Sequence, residues 1–249
     1  MDRCIRVLFG KECYKPLMAP DFLADAALWY LAFLFSTVCH EAAHALVAKW
    51  GGDYTAYAGG QVTLDPIPHL RREPVGLFIL PLLSFVLFKG GGMIGWGSAP
   101  YDPYWQIRYP RRAALMAIAG PVSNFCIVLI SACLMIVGIK AGVFVLSDNL
   151  TSLVTGNGFF GACAYFLSIF FKLNLILGVF NLLPVPPLDG HSALGLILPE
   201  STFLKFLELV RTPTFSIVGL LVAYNVFPHL LWPVLQWSIL TFYRVALAV

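Results

Sequence analysis

Long apolar stretches separated by short polar ones run through most of the chain. Three of them, at about 26–48, 113–139 and 159–183, reach the length of about 20 residues that a helix needs to cross a bilayer. We predict that they form three core helices. Of the 249 residues, 59% are hydrophobic and 12% charged, and the mean hydropathy of +0.81 lies outside the range of soluble domains. The expected fold class is therefore an all-α polytopic membrane protein.

A fourth apolar stretch, Pro74–Phe88, is too short for a straight crossing and has Pro81 in its middle. It predicts a re-entrant or kinked segment. The sequence GQVTLDP at 60–66 alternates between apolar and polar residues, and this alternation predicts a short strand.

Prolines dominate the pattern after the third core helix. In PVPPLDGHSALGLILPE, three prolines and a glycine exclude regular helix until about His191, and a half-length apolar segment then ends at Pro199. This pattern predicts a broken helix, which is tolerated at membrane depth where protein or water covers it. The tail at 213–249 has two prolines near its centre and predicts a hairpin of two short spans. We expect 1–249 to form one membrane-embedded domain with its core at about 26–200.

The charges suggest an orientation rather than a nucleic-acid surface, because the net charge of +3 is small and its Lys and Arg residues are scattered. If 74–88 does not cross, the segments 49–112 and 184–212 share one membrane face. Nine basic residues then lie on that face: Lys49, Arg71, Arg72, Lys89, Arg108, Arg111, Arg112, Lys205 and Arg211. Five lie on the other: Arg3, Arg6, Lys11, Lys15 and Lys140. The positive-inside rule predicts that the larger group is cytosolic.

The first core helix contains the sequence VCHEAAHAL at 38–46. His40 and His44 are four residues apart, so both imidazoles lie on one helix face, and neutral imidazoles are good zinc ligands. Glu41 beside them has the chemistry of a base for a metal-activated water. Counting from Ala26 at about 1.5 Å per residue, His40 lies ~20 Å along the helix, inside the hydrocarbon layer. Ionisable groups at that depth are costly and commonly functional.

A catalytic zinc site has three protein ligands and an open position, so the two histidines need a partner. Asp189 is the remaining acidic residue expected at membrane depth. The proline-rich backbone before it, with Gly190 after it, can bring a short carboxylate to another helix. His191 is the rival ligand, and its alternative position is the first turn of the following half-helix. We predict a zinc site formed by His40, His44 and Asp189.

Other interpretations of this cluster stay open on the residues alone. The histidines could be core residues that are hydrogen-bonded to neighbouring helices. The cluster could also be the relay of an ion or proton-coupled membrane transporter, although we find no inverted repeat in the chain. A metal-binding scaffold without proteolysis is a third interpretation. The presence of Glu41 argues against it, because zinc does not need that residue as a ligand.

Three motifs, HEAAH at 40–44, GPVSN at 120–124 and NLLPVPPLDG at 181–190, resemble in order and placement those of the site-2 proteases, the intramembrane zinc metalloproteases of peptidase family M50. The stretch GGDYTAYAGGQVTLDPIPH at 51–69, followed later by WGSAPYDPYW, resembles the compact bacterial branch that lacks PDZ and CBS domains. The resemblance covers about residues 30–200. It departs at PHLRREP, where the branch has a His-hydrophobic-Asp-Pro sequence, and we interpret His69 as a loop histidine.

The resemblance implies a zinc metalloprotease whose cofactor is Zn²⁺, bound by His40, His44 and Asp189, with Glu41 activating the hydrolytic water. It implies a catalytic role for Asn181 in stabilising the oxyanion or orienting the substrate. A helix cap or an inter-helix hydrogen bond is the alternative role for this amide.

Asn124 matches a family position, and we favour a structural hydrogen bond across helices over a role in organising the site. Lys172 lies at an unfavourable depth for a charge, where the alternatives are that it snorkels, pairs with another group or faces a water-filled cavity. It is assigned no catalytic role.

The resemblance also implies regulated intramembrane proteolysis. The expected partners are the lipid bilayer and a membrane-protein substrate with a single span, which would pair with the strand at 60–66. No nucleic acid is expected, and the oligomeric state is not indicated. The expected location is a bacterial inner membrane, crossed several times, with the active site opening to the cytosol.

Overall fold

The computed structural model describes residues 20–148, 151–210 and 212–248. Four helices in this part of the chain are long and apolar enough to cross a membrane, and they are α1, α6, α7 and α10 in the numbering used below. In chain order the helices are α1 (Pro20–Gly51), α2 (Thr55–Ala58), α3 (Pro66–Arg72), α4 (Leu80–Leu87), α5 (Pro103–Arg108), α6 (Pro110–Lys140), α7 (Phe159–Asn181), α8 (Asp189–Ala193), α9 (Glu200–Val210) and α10 (Pro213–Ala248). A π-helical turn, Val75–Ile79, precedes α4, and a 3₁₀ turn, Leu194–Leu196, follows α8.

The three predicted core helices are confirmed as α1, α6 and α7, which pack against one another. Small residues take part in the contact between α1 and α6: Ala48 of α1 shares a buried cluster with Ala113 of α6, and Gly120 of α6 lies against His40 and His44 of α1. Small side chains let helix backbones approach closely in a membrane, where lipid tails are as apolar as leucine and close packing must supply the attraction. The fold class, an all-α polytopic membrane protein, is therefore confirmed.

The stretch at 74–88 forms one arm of a hairpin that returns to its starting side. Pro81 has no N–H to donate to the preceding turn and crowds the carbonyl four residues back, and the π-helical turn just before α4 accommodates it. The chain reverses at Lys89, Gly90 and Gly92, all of which have positive φ. It then runs back as an extended segment at 92–100.

Hydrogen bonds between the two arms show that they are antiparallel. The Ile94 N–H donates to the Ser84 hydroxyl over 2.9 Å, and the Trp96 N–H donates to the Gly76 carbonyl over 3.1 Å. Closer to the open end, the Arg72 side chain donates to the Ser98 hydroxyl over 3.0 Å. As the residue number rises from 94 to 98 on the second arm, the number of its hydrogen-bond partner falls from 84 to 72 on the first. The two arms therefore run in opposite directions, and the expected re-entrant geometry is confirmed.

The tip of this hairpin lies beside the start of α1. Gly90 contacts the Phe22 ring, and Gly97 contacts Glu41. From Phe22 to Glu41 is about 28 Å along α1, close to the ~30 Å of a hydrocarbon core. Lys89 therefore lies at the opposite end of α1 from Gly51, and its assignment to the basic face was wrong.

The predicted strand at 60–66 is also wrong. That stretch forms bends and turns without a ladder, and Asp65 instead caps α3 by accepting a hydrogen bond from the Ile67 N–H. Pro66 suits the first turn of a helix, where its missing N–H costs nothing. The short β element of the described chain is the antiparallel pair β1 (Val145–Leu146) and β2 (Val154–Thr155), between α6 and α7.

The predicted C-terminal hairpin at 213–249 is replaced by one continuous helix, α10, with Pro228 and Pro233 inside it. Backbone groups in a bilayer have no water to bind, so a helix tolerates the loss of two hydrogen bonds better than it tolerates an exposed turn. The far end of α10 packs on the loop before α7, where the Tyr243 hydroxyl donates to the Ser147 carbonyl. Arg244 therefore belongs to the face opposite Gly51.

These corrections change the charge comparison. Among the described residues, seven basic residues lie on the Gly51 face, namely Lys49, Arg71, Arg72, Arg108, Arg111, Arg112 and Lys205, and three lie on the other, namely Lys89, Lys140 and Arg244. The predicted assignments of Arg3, Arg6, Lys11, Lys15 and Arg211 lie outside the described residues. In the described part of the chain, basic residues are thus more numerous on the Gly51 face, the face that the positive-inside rule predicts to be cytosolic.

The position of Lys89 can be tested by labelling single cysteines with a membrane-impermeant maleimide after the six natural cysteines have been replaced. We expect Lys89→Cys to be labelled from the same side as Lys140→Cys and from the opposite side to Arg108→Cys, since all three positions are exposed. The measurement compares intact cells with inverted vesicles. Labelling of Lys89→Cys together with Arg108→Cys would show that the hairpin does not span the layer.

Candidate metal centre

His40 and His44 lie in the apolar part of α1 and point at one location. Their Nε2 atoms are 3.0 Å apart, and both side chains are buried. From the Gly51 end of α1, His40 is about 17 Å along the helix. The helical spacing thus brings two potential ligand atoms together well inside the membrane.

Asp189 reaches these histidines from the chain after α7. The backbone from Leu182 turns back on itself so closely that a side chain at Gly190 would approach the Leu182 and Leu183 carbonyls to 2.3 Å. This fold-back places Asp189 Oδ2 at 3.0 Å from His40 Nε2 and 3.3 Å from His44 Nε2. The three side chains could hold one metal ion, because their ligand atoms all lie within 4.8 Å of one another.

The donor set fits zinc. Tetrahedral zinc with bonds of about 2.0–2.1 Å has neighbouring ligand atoms about 3.3–3.4 Å apart. The observed separations among the two nitrogens and the carboxylate oxygen, 3.0 to 3.3 Å, are close to that requirement. Two neutral imidazoles and one carboxylate are also a ligand set that catalytic zinc uses.

Space above the ring nitrogens is provided by Gly120 of α6. A Cβ atom there would lie 2.4 Å from His44 Nε2 and 2.5 Å from His40 Nε2. Any side chain at this position would therefore occupy the place where the ligand atoms converge. The glycine of the GPVSN motif is explained by this close approach rather than by a turn.

The second nitrogen of each ring is hydrogen-bonded. His44 Nδ1 lies 2.7 Å from the Met116 carbonyl, which can only accept, so Nδ1 carries the proton and Nε2 keeps a free lone pair. His40 Nδ1 lies 2.6 Å from Asn124 Oδ1. Such outer contacts orient metal ligands and set their tautomers.

Glu41 lies next to this group but outside it. Its side chain is buried, and among the described residues none donates a hydrogen bond to its carboxylate. Gly97 of the extended segment makes room for it, because a Cβ there would approach Glu41 Cγ to 2.6 Å and Oε1 to 2.8 Å. The carboxylate is thus held by packing and is available as a base.

The structure does not bring Asn181 or His191 to the histidines. The Asn181 amide donates to the Leu177 carbonyl within α7. The His191 Nδ1 donates to the Leu188 carbonyl over 2.5 Å, and its Nε2 pairs with Ser192.

His69 and Lys172 have other surroundings. His69 is a buried residue of α3, with Nε2 donating to the Thr63 carbonyl, so its interpretation as a loop residue was wrong. The Lys172 ammonium donates to the Thr151 carbonyl over 2.6 Å, near the end of the molecule where β1 and β2 lie. Neither belongs to the triad.

Sequence reasoning missed Asn174 and Ser36, two fully buried residues that continue the hydrogen bonding from Asn124. A signal was present, since an amide in the middle of the apolar run FFKLNLIL needs a partner at membrane depth. The structure identifies that partner as Asn124, so the amide predicted as structural contacts both a metal-ligand candidate and another helix.

Comparison with known proteins agrees with this geometry. The family model described as Peptidase family M50 matches residues 28–221. The chain is 32% identical over 235 residues to a Bacillus subtilis protein named "Putative zinc metalloprotease YwhC", covering 90% of each chain. It is 32% identical over 186 residues to the Mycobacterium tuberculosis protein named "Putative zinc metalloprotease Rip2", covering 74% of this chain and 61% of that one. No solved structure matches the chain significantly.

The role of Gly120 yields a direct test. We expect Gly120→Ala to lose stoichiometric zinc, because the added methyl group would lie within 2.6 Å of both ligand nitrogens. The measurement is zinc content per chain after purification without chelators. Gly138→Ala is the matched control, since it introduces the same group in the same helix, against the Phe144 ring, away from the triad. Equal zinc content in the two variants would contradict the assignment.

Proposed function

The chain belongs to peptidase family M50, and from that premise we propose that it is an intramembrane endopeptidase that hydrolyses peptide bonds of membrane-spanning proteins. It is a zinc metalloprotease, as its family and relatives indicate. The observation that supports the intramembrane site is the position of the triad: His44 and His40 lie about 10 and about 17 Å from the end of a helix long and apolar enough to span, and Asp189 meets them there. The family membership also removes the motivation for the transporter interpretation.

The proposed chemistry assigns the chain's residues as follows. His40, His44 and Asp189 hold zinc, which when bound would polarise the scissile carbonyl and acidify a water molecule. Glu41 takes a proton from the attacking water on a carboxylate oxygen and returns it to the leaving amine. Burial of the carboxylate, with Gly97 packed against it, limits the positions it can adopt.

Asn181 keeps a second amide hydrogen beyond the one that it donates to the Leu177 carbonyl. We propose that this hydrogen binds the substrate carbonyl or the oxyanion that forms from it. The role carries over from the family motif NLLPVPPLDG, and it requires the substrate to pass beside the end of α7.

We propose that the substrate binds along the extended segment 92–100 instead of 60–66. The N–H groups of Ile94 and Trp96 are bonded to the other hairpin arm. Within the described chain, the N–H groups of the alternate residues Gly95 and Gly97 have no hydrogen-bond acceptor. An unwound substrate could pair with this free edge by strand addition, which would bring its backbone past Glu41.

We propose the bacterial cell (inner) membrane as the location, with the site opening to the cytosol. Supporting this choice are the bacterial relatives and the residues at the Gly51 end of the molecule. Exposed Trp50, Tyr54 and Tyr104 lie there, as is typical of either membrane interface, and the nearby Arg108 and Arg112 favour the cytosolic side by the positive-inside rule. In intact cells, Arg108→Cys should then resist labelling by the impermeant maleimide.

Glu41→Gln tests the chemistry. We expect cleavage to fall by about 10²–10⁴-fold or more, because an amide cannot take the proton, while one zinc per chain is retained. The measurements are zinc content and cleavage of a reconstituted single-span protein. A scaffold without proteolysis would show no cleavage by the natural chain, and a purified chain without zinc would refute the proposal.

The substrate can be sought with the same variant. We expect at least one membrane protein to accumulate in cells carrying Glu41→Gln relative to cells carrying the natural chain. Quantitative comparison of the two membrane proteomes makes the measurement. Accumulation confined to soluble proteins would contradict the proposed substrate class.

A further inference from the structure

We infer that Asn174 is a positioning residue of the metal centre, which acts through Asn124 to fix the tautomer of His40. The inference rests on the proposed zinc-dependent function, because it concerns which nitrogen of His40 is presented to the metal. It assigns a role to a residue outside the motifs HEAAH, GPVSN and NLLPVPPLDG.

Four side chains form an unbroken hydrogen-bonded row across the three core helices. His40 Nδ1 of α1 contacts Asn124 Oδ1 of α6 at 2.6 Å. Asn124 Nδ2 donates to Asn174 Oδ1 of α7 at 2.8 Å. Asn174 Nδ2 in turn donates to Ser36 Oγ, back on α1, at 2.8 Å. Asn124, Asn174 and Ser36 are fully buried, so no water can replace a missing partner.

Asn174, the asparagine of this row farther from His40, determines which end of each amide group donates and which accepts. Asn174 Nδ2 also lies 2.9 Å from the Phe170 carbonyl, which can only accept a hydrogen bond. The NH₂ group of Asn174 must therefore face Phe170, and its Oδ1 must face Asn124. Because Oδ1 can only accept, Asn124 must present Nδ2 to Asn174 and Oδ1 to His40.

The consequence for the metal centre follows directly. An amide oxygen facing Nδ1 of His40 requires a proton on Nδ1, so Nε2 keeps the lone pair that points at His44 and Asp189. If Asn124 turned by 180°, its NH₂ group would favour a lone pair on Nδ1 and a proton on Nε2. That tautomer cannot bind a metal through Nε2.

The two histidines differ in this dependence. The Nδ1 of His44 is paired with the Met116 carbonyl, a backbone acceptor that cannot turn. The Nδ1 of His40 is paired with a side-chain amide whose two ends are alike in shape and opposite in hydrogen bonding. Only His40 therefore needs a further residue to hold its partner in one orientation.

Zinc affinity measured by competition with a chelator tests this inference without reference to proteolysis. We expect Asn174→Leu to weaken zinc binding by about 10–100-fold, the usual effect of losing an outer-shell partner. The matched control is Asn225→Leu, since Asn225 is an exposed amide in α10 that donates to the Leu221 carbonyl. It should bind zinc as the natural chain does. Asn174→Ala replaces Asn174→Leu if the leucine variant does not accumulate in the membrane.

A second substitution separates orientation from packing. In Asn124→Asp, both carboxylate oxygens accept, so the group facing His40 is an acceptor whichever way it turns. In that background we expect Asn174→Leu to change zinc affinity by less than about 3-fold, which makes the two substitutions strongly non-additive. A purely structural role of Asn174 would give the same loss in both backgrounds.

The outcomes distinguish the inference from the function on which it rests. A natural chain without zinc overturns the proposed function itself. Natural zinc affinity in Asn174→Leu, an equal loss in the Asn124→Asp background, or failure of Asn124→Asp alone to bind zinc each overturns the role of Asn174 and leaves the proposed protease intact.

Discussion

Polar groups inside the hydrocarbon layer have no water to bind, and each must find a partner within the protein. In this chain the constraint acts most strongly on His40, whose two nitrogens face opposite directions. One meets Asp189 and His44, and the other meets Asn124. Asn124 and Asn174 bond to each other between α6 and α7, and they bond to His40 and Ser36 of α1, so these hydrogen bonds hold the three helices at one relative height and rotation. The same hydrogen bonds thus determine the arrangement of the core helices and the orientation of His40 in the metal centre.

Close packing against two glycines also determines the shape of the site. Gly120 and Gly97 approach the HEAAH motif from two elements, the first against the histidine nitrogens and the second against the Glu41 carboxylate. A side chain at either position would displace a different group, so the ligand set and the base are shaped independently. Small residues here provide more than the helix contact that they commonly provide in membranes. They leave the space in which the chemistry takes place.

The predictable part of the molecule is the part controlled by local spacing and length. Apolar runs longer than 20 residues identify α1, α6 and α7, and the interval between His40 and His44 identifies a shared face. The wrong or missing predictions concern residues whose conformation or role depends on contacts with residues distant in the sequence. Alternation at 60–66 indicates a strand, yet within the described residues no strand pairs with it, and Asp65 caps a helix instead. The amide of Asn174 reveals its importance only when Asn124 lies 2.8 Å away.

The prolines also show that the sequence alone does not predict the local backbone conformation. The same residue type gives three different backbone conformations in this chain. A π-helical turn precedes Pro81, the backbone at 184–187 is irregular, and α10 continues as a helix through its two prolines. What differs is the set of partners around the backbone groups that each proline frees. Where a second segment folds back against the gap, as at 92–100 and 182–189, irregular backbone persists beside the triad. The first of these segments reaches Glu41 through Gly97, and the second ends at Asp189, so irregular backbone covered by protein adds groups that the three core helices do not supply.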